Sequence, residues 1–155
     1  MTVDSVRAFF VALAPEIEVI ESNKSSATVT LAAEAFGVTP AEIAKTLSLR
    51  VGDKILLVMT CGTARLDNKK ARAVFGGKAR MLNAEEALDA TGHPVGGICP
   101  FGLKTQLPVY CDVSLKNFSE VVPAAGSINS AVRISPARMA QLSRAKWVDV
   151  CEIPA

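Results

Sequence analysis

The feature that most constrains the fold is a predicted β-hairpin over residues 46–59. Residues 46–51 (TLSLRV) alternate polar and apolar side chains, as a strand with one face in water does. Gly52 and Asp53 supply a turn, and residues 55–59 (ILLVM) are apolar throughout, which is typical of a strand covered on both faces. The sheet therefore contains antiparallel neighbours, and other elements must cover its central strand.

Helix signals lie on both sides of this hairpin. Asp4 is the expected N-cap of a first helix whose apolar stripe is Val6, Phe9, Phe10 and Leu13, ending at Pro15. A second helix is expected to open at Ser25 or Ser26 and to stop at Gly37. In the sequence TPAE, Thr39, Pro40 and Glu42 form the pattern of a capping box at the start of a short helix.

The rest of the chain continues to interleave the two kinds of element. Further helices are predicted from Asp67 to Gly76, from Asn83 to Gly92 and from Ser135 onward, and further strands over residues 16–20, 109–113, 120–124 and 147–151. This interleaving predicts an α/β fold, α+β-like in detail, with a mixed, partly antiparallel central sheet surrounded by helices. With 155 residues we expect residues 1–155 to form a single domain.

Composition narrows the functional classes. The chain is half apolar, and its N-terminus has no basic region before an apolar stretch, so we expect neither a secretory signal nor a membrane span, and a cytoplasmic location. A net charge of +2 argues against non-specific binding of duplex DNA, but it allows a local basic patch. The four cysteines show no CxxC pair, and we expect free buried thiols rather than disulfides.

Two features could carry chemistry. Lys45, at the expected end of the short helix, either complements the helix dipole or anchors a phosphate or carboxylate. The stretch GHPVGGICPFG, residues 92–102, is either a structural turn or a backbone cradle for an anion. A Cys99–His93 nucleophile pair has nothing to fix its geometry, a zinc site from His93, Cys99 and Cys111 matches no common spacing, and the basic run at residues 69–72 is typical of a solvated helix face.

A series of motifs in a fixed order gives a more specific indication. The chain contains AKTLSLR at 44–50, LDNKKARAVFG at 66–76, TGHPVGGICPFG at 91–102, LPVYCD at 107–112 and AAGS at 124–127. In this order they resemble the YbaK/EbsC family of trans-editing domains, which are related to the insertion domain of bacterial prolyl-tRNA synthetases. The resemblance runs from about residue 26 to residue 134 and implies hydrolysis of mischarged aminoacyl-tRNA, typically tRNA(Pro) carrying cysteine or alanine.

The resemblance also implies roles for individual residues. Lys45 would contact the 3′-terminal adenosine, its phosphate or the aminoacyl ester, and the loop Gly96, Gly97, Ile98, Cys99 and Pro100 would hold the substrate carbonyl through its N–H groups. Thr46, Gly126, Ser127 and Asn129 would contribute to substrate binding. On this interpretation Cys99 forms a wall of the pocket and His93 flanks it. The family commonly has serine at the position of Cys99, and its alanine-specific members have asparagine at the position of Thr46, which favours cysteine or another small residue over alanine.

An aminoacyl ester is already activated, and the neighbouring ribose hydroxyl can orient water, so the resemblance implies neither a cofactor nor a metal. The expected partners are the acceptor end of an aminoacyl-tRNA and prolyl-tRNA synthetase or another synthetase, with no membrane and no DNA. The alternative is a non-catalytic module that binds aminoacyl-adenosine, a nucleotide or a synthetase. Such a module would bind the acceptor end without turnover.

Overall fold

The computed structural model describes residues 2–154, and within this range it contains five α-helices, ten strands and two short 3-10 helices. The α-helices are α1 (Thr2–Leu13), α2 (Val29–Phe36), α3 (Asn68–Phe75), α4 (Ala84–Thr91) and α5 (Pro136–Ser143). The longer strands are β2 (Ile43–Val51), β3 (Lys54–Cys61), β5 (Ala79–Met81), β6 (Val109–Asp112) and β9 (Lys146–Val148). The two-residue strands are β1 (Ile20–Glu21), β4 (Arg65–Leu66), β7 (Val122–Pro123), β8 (Ser130–Ala131) and β10 (Cys151–Glu152), and the 3-10 helices are Pro40–Glu42 and Val113–Asn117.

The central sheet is mixed and is built on the predicted hairpin. Its strand order is β5-β2-β3-β6-β9, with β7 also paired to β2. β2 is antiparallel to β3 and β5, while the pairs β3–β6, β6–β9 and β2–β7 are parallel. The α/β fold with a mixed, partly antiparallel sheet is therefore confirmed, and β3, buried at all but its first two residues, is a central strand as its apolar run predicts.

The core lies on both faces of this sheet. Leu57, Val58 and Met59 of β3 are fully buried, and Phe10 of α1 packs against Phe101 with ring centroids 4.8 Å apart and ring planes tilted by 56°. A smaller cluster, formed by α2, Ile43 and Val122, closes one edge of the sheet. All four cysteines are free and buried, as predicted. No helix among the described residues is long and apolar enough to cross a membrane.

Local capping signals were accurate where their partners lie within the element. The capping box of Thr39 and Glu42 forms as predicted. The helix predicted to start at Asn83 does so, and Glu86 completes a capping box with Asn83 at α4. Helix α3 ends at Gly76 in the left-handed conformation, and Ser135 caps α5. In each case a residue within four positions of the helix end provides the hydrogen-bond partner for a backbone group that the helix itself leaves free.

Two helix starts were predicted wrongly. α1 begins at Thr2, so Asp4 lies in its first turn and is not its N-cap, and Leu13 at the end of the expected stripe is exposed. α2 begins at Val29 with Thr28 as its cap. Ser26 does not cap this helix because its hydroxyl donates instead to the Ile128 carbonyl, 102 residues along the chain.

Two strand predictions were also wrong in extent. Residues 16–19 are not a strand, because the Ile17 N–H donates to the Ala14 carbonyl in a turn and only Ile20 enters β1. The expected strand over 147–151 is two strands, β9 and β10. Between them the Val150 N–H donates to the buried carboxylate of Asp112 at 2.8 Å, and the N–H of Cys151, the first residue of β10, donates to the same oxygen at 3.1 Å.

Candidate active site

A cavity of about 240 Å³ lies where the outer edge of β2 is left unpaired. β3 pairs with β2 along residues 44–51, so β7 and β5 must share the other edge. β7 pairs there with Ile43 and Ala44 and β5 with residues 49–51, which leaves a gap at residues 45–48. The cavity opens at this gap and is covered by the chain leading into α2, by the glycine-rich loop and by β7 and β8.

Thr46 lies at the centre of the gap. The Leu82 N–H donates to the Ser48 carbonyl at 3.0 Å, so the backbone groups of residue 48 point toward this edge. Because backbone direction repeats every second residue in an antiparallel pair, the N–H and C=O of Thr46 point the same way. The Thr46 hydroxyl is buried and has no hydrogen-bond partner among the described residues. The cavity floor therefore offers a backbone amide and an unused hydroxyl.

Lys45 lines the same cavity but is not at a helix end. β2 begins at Ile43, so Lys45 is a strand residue, and its ammonium donates to the carbonyl of Ala64 in the turn after β3. The interpretation of Lys45 as a helix-dipole complement is therefore wrong. The side chain is half-buried, and this burial lowers the pKa of Lys45 below its usual value. An ammonium has three N–H donors, so two remain for an anion or a carbonyl.

The glycine-rich loop reaches the cavity through Gly96 and Ile98. Gly96 has φ +93°, and a Cβ at this residue would lie 3.0 Å from the Cβ of Ala27, before α2. Gly97 is packed more tightly, because a Cβ there would lie 2.6 Å from the nitrogen of Ser127. The Gly126 N–H donates to the Gly97 carbonyl at 2.9 Å, so the loop is held against residues 126–127 by its backbone.

Two N–H groups of this loop, those of Gly96 and Ile98, belong to residues that line the cavity and are free to bind a ligand there. The Gly97 N–H closes a turn on the Pro94 carbonyl at 2.9 Å, and Pro100 has no N–H. Within residues 2–154, the N–H groups of Gly96, Ile98 and Cys99 form no hydrogen bond. Backbone N–H groups left free in a loop of this kind are suited to binding an anion or a polarised carbonyl oxygen.

The thiol and the imidazole of the loop lie in the core and not in the cavity. Cys99 is fully buried, and burial raises the pKa of its thiol to about 12. The expectation that Cys99 forms a wall of the pocket is therefore wrong. Its side chain lies in the hydrophobic core, where the thiol donates to the carbonyl oxygen of Phe101. His93 is also fully buried, its Nε2 lies 2.8 Å from the Phe101 carbonyl oxygen, and burial lowers its pKa.

Gly126, Ser127, Asn129 and Pro100 do not line the cavity either. The Ser127 hydroxyl donates to Asn129 Oδ1 at 2.9 Å and lies 2.6 Å from the hydroxyl of Ser130, which does line it. Asn129 in turn donates to the Ser22 carbonyl at 2.9 Å. These residues thus support the cavity wall from behind. No group of three or more His, Cys, Asp and Glu side chains among the described residues could hold a metal ion.

Sequence reasoning missed several lining residues. Ser48 is two residues after Thr46 in an alternating strand, so its position on the same side could have been read from the sequence. Ser26 and Ser130 join the wall only through the contact between residues 26 and 128, which has no local signal. Met81 and Val95, more than half exposed, form an apolar rim at the mouth.

Comparison with known proteins agrees with this architecture. Residues 23–142 match the family described as the aminoacyl-tRNA editing domain, and the chain belongs to this family. It is 49% identical over 154 residues, 98% of each chain, to "Uncharacterized protein YwhH" of Bacillus subtilis. It is 29% identical over 121 residues, 76% of this chain and 73% of the relative, to "Putative Cys-tRNA(Pro)/Cys-tRNA(Cys) deacylase EbsC" of Enterococcus faecalis.

A solved structure is similar over nearly the whole chain. This "putative trans-editing enzyme for prolyl tRNA synthetase" superposes with a TM-score of 0.90 at 30% identity and covers 97% of both chains. The resemblance stated from the sequence motifs is therefore confirmed as family membership. The fold of the chain is that of the editing domains related to prolyl-tRNA synthetase.

Proposed function

We propose that this protein is an aminoacyl-tRNA deacylase that hydrolyses the ester of a mischarged tRNA. The observation that carries the proposal is the cavity at the gap in β2, where Lys45, the unpartnered hydroxyl of Thr46 and the loop residues Gly96 and Ile98 meet. Editing is needed because a synthetase pocket discriminates by only about 1–3 kcal/mol per methylene, so small wrong amino acids are attached at an appreciable rate.

The free N–H groups of the loop are the candidate oxyanion donors. Attack of water on the ester carbonyl carbon places a negative charge on the carbonyl oxygen, and N–H groups fixed beforehand stabilise that charge without reorganising. Gly96 and Ile98 line the cavity and have unused N–H groups, so they are the best placed for this role. Lys45, with two unused donors, would bind the terminal nucleotide or the ester.

The reaction on this proposal uses no protein nucleophile. The water oxygen forms a bond to the carbonyl carbon, and the resulting oxyanion collapses with cleavage of the ester C–O bond. The expelled ribose oxygen takes up the proton that the attacking water releases and becomes a free hydroxyl. The neighbouring ribose hydroxyl orients the water. The buried thiol of Cys99, with its pKa raised to about 12, and the core imidazole of His93 are both unsuited to a nucleophile–base pair.

The lining of the cavity favours an uncharged aminoacyl side chain. Ala32, Ala44, Ala124 and Ala131 present apolar methyl groups, and none of the lining residues is acidic. We propose cysteine or alanine on tRNA(Pro) as the substrate, and the name of the Enterococcus relative supports cysteine. The similarity of this chain to the solved trans-editing enzyme for prolyl tRNA synthetase supports prolyl-tRNA synthetase as a partner. We place the reaction in the cytoplasm, where amino acids are attached to tRNA.

A panel of mischarged tRNAs tests the proposal. We expect the purified protein to release amino acid from tRNA(Pro) carrying cysteine or alanine, and to leave the same tRNA carrying proline intact. Release of serine and threonine measures how strictly the alanine-lined wall selects for size and polarity. A protein that binds the acceptor end of these tRNAs but accelerates hydrolysis of none would instead be the non-catalytic binding module.

A further inference from the structure

We infer that a basic groove between α3 and β5 binds phosphate groups of the RNA strand whose 3′ end enters the cavity. The groove has a volume of about 280 Å³ and is lined by Asn68, Lys69, Arg72, Lys78 and Ala79. That the occupant is RNA rests on the proposed function. The groove itself is a feature of the surface, separate from the cavity that holds the ester.

The three cations of the groove are not neutralised. Lys70 on the same helix pairs with Asp149 at 3.0 Å, and Arg80 on β5 pairs with Glu86 at 3.2 Å. In contrast, the side chains of Lys69, Arg72 and Lys78 form no ion pair or side-chain hydrogen bond with any described residue. All three are exposed. Three adjacent cations repel one another and are stabilised by an anionic partner.

The position of the groove relative to the cavity identifies the class of anion. Ala79 of β5 lines the groove and Met81 of the same strand lines the cavity. Strand residues advance about 3.3 Å each, so these two positions are about 7 Å apart. Successive phosphates along a stacked strand rise about 3.4 Å, so the groove lies within reach of the last two or three nucleotides before a nucleoside held in the cavity.

The low net charge of the chain means that any attraction for nucleic acid must come from a local cluster of cations. A net charge of +2 gives no general attraction for nucleic acid, so a cluster of three unpaired cations beside the cavity is the strongest candidate contact. Lysine and arginine side chains bind phosphate without reading the base. The groove would therefore add affinity and orient the strand, and leave the choice of amino acid to the cavity.

The test compares two variants of equal charge. The groove variant Lys69→Gln/Arg72→Gln/Lys78→Gln and the control variant Lys104→Gln/Arg144→Gln/Lys146→Gln each remove three exposed cations, taking the net charge from +2 to −1 (2 − 3). The probe is a fluorescent RNA hairpin with a single-stranded CCA 3′ end that carries no amino acid. Its binding is followed by anisotropy across a salt series. Because the RNA is not aminoacylated, the measurement is independent of deacylation.

We expect the groove variant to bind the RNA about tenfold or more weakly at low salt. The plot of log association constant against log salt should become less steep by about 2, since each of three single-strand phosphate contacts contributes about 0.7. The control variant should keep the wild-type slope. Equal slopes and affinities for the two variants would overturn the inference. It would also be overturned if loss of the three cations abolished binding to vesicles containing an anionic phospholipid and left RNA binding unchanged.

A second measurement separates the groove from the chemistry. With aminoacyl-adenosine, which has no phosphate, the groove variant should hydrolyse the ester at the wild-type rate, whereas with mischarged tRNA its KM should rise about tenfold. A wild-type protein that hydrolyses neither substrate would refute the proposed function, and the anisotropy series would still test the groove. Equal KM values for groove and control variants on tRNA would refute the groove alone.

Discussion

At the scale of single residues, the polar atom that most needs an explanation is the hydroxyl of Thr46. It is buried without a partner at the floor of the cavity, and its own backbone amide faces the unpaired edge of β2. A buried polar group without a hydrogen bond costs about 1–3 kcal/mol, so a protein gains nothing in stability by keeping it. Binding a ligand would satisfy it.

We therefore predict that Thr46→Val separates stability from activity. Valine has nearly the shape of threonine, so the free energy of unfolding should stay the same or rise by about 1 kcal/mol as the unpartnered hydroxyl is removed. The kcat/KM for deacylation should fall about tenfold, as expected for loss of one hydrogen bond to the substrate. Denaturant melts and deacylation kinetics of the two proteins check this, and a less stable variant with full activity would contradict it.

For Cys99 we predict the reverse effect, a loss of stability without a loss of activity. Because its thiol is fully buried and its pKa is raised to about 12, it is protonated at neutral pH and should not react with iodoacetamide until the protein unfolds. Cys99→Ala should lower stability by about 1 kcal/mol through loss of core packing. Its kcat should stay within about twofold of wild type, because the proposed reaction uses no thiol. Loss of kcat by orders of magnitude would restore the thiol as a nucleophile.

At the scale of elements, the glycine-rich loop depends on its contact with residues 126–127. In Gly97→Ala the new methyl group would lie 2.6 Å from the Ser127 nitrogen, a backbone atom that cannot move alone. We predict a loss of about 1–3 kcal/mol in stability from this overpacking, together with a lower kcat as the N–H groups of the loop shift.

A matched control for this variant is Gly52→Ala in the turn of the β2–β3 hairpin. Gly52 has φ +59° and no heavy atom within 4 Å of the added Cβ, so it costs only the strain of the left-handed conformation, about 1 kcal/mol. Its kcat should be that of wild type. If Gly97→Ala were as active as Gly52→Ala, the loop would not position the reacting carbonyl.

Glu86 ties α4 to the strands that border the cavity. Its carboxylate accepts from Arg80 of β5 and Arg50 of β2, and it caps α4 through the Asn83 N–H. The Arg80 hydrogen bond, followed by that of Asn83, lowers the pKa of Glu86 from 4.5 to about 2. A carboxyl whose pKa is depressed in the folded state contributes stability above its unfolded pKa and loses it as the pH falls through the folded value.

We predict that Glu86→Gln melts at a lower temperature than wild type at pH 7. The difference should persist down to about pH 4.5 and vanish as the pH falls toward about 2, where the wild-type carboxyl is protonated as well. Glu85→Gln in the same turn is the control, because Glu85 has no ion pair among the described residues. A difference that grew on acidification would contradict the assignment of the pKa shift to Glu86.

The elements also show what can be predicted from sequence. The capping box at Thr39 and the helix start at Asn83 were predicted correctly, because the partners of both caps lie within four residues along the chain. The start of α2 and the interruption between β9 and β10 were not, because Ser26 and Val150 are held by Ile128 and Asp112, far along the chain. The motif series indicated Lys45, Thr46 and the loop as the site. The gap in the edge of β2 could not be foreseen, because it depends on where β5 and β7 pair.

At the scale of the whole molecule, the sheet both holds the site residues and forms the cavity. Its buried centre, β3 with β2 and β6, is part of the packed core and therefore holds Lys45 and Thr46 rigidly in position. Its outer edge is covered in two pieces, and the space between them is the cavity. A binding site formed by an incomplete sheet edge needs few dedicated side chains, since the backbone supplies many of the polar groups.

The most direct test of this account is the single-turnover hydrolysis of Cys-tRNA(Pro) by wild type and by Lys45→Met. Methionine keeps the apolar stem of the side chain and removes the ammonium. The variant should therefore melt at about the wild-type temperature, while its rate of cysteine release falls by about 100-fold or more. Lys104→Met, an exposed lysine outside the cavity, should leave the rate unchanged. Cysteine release at the wild-type rate by a folded Lys45→Met protein would contradict the claim that this cavity carries out the reaction.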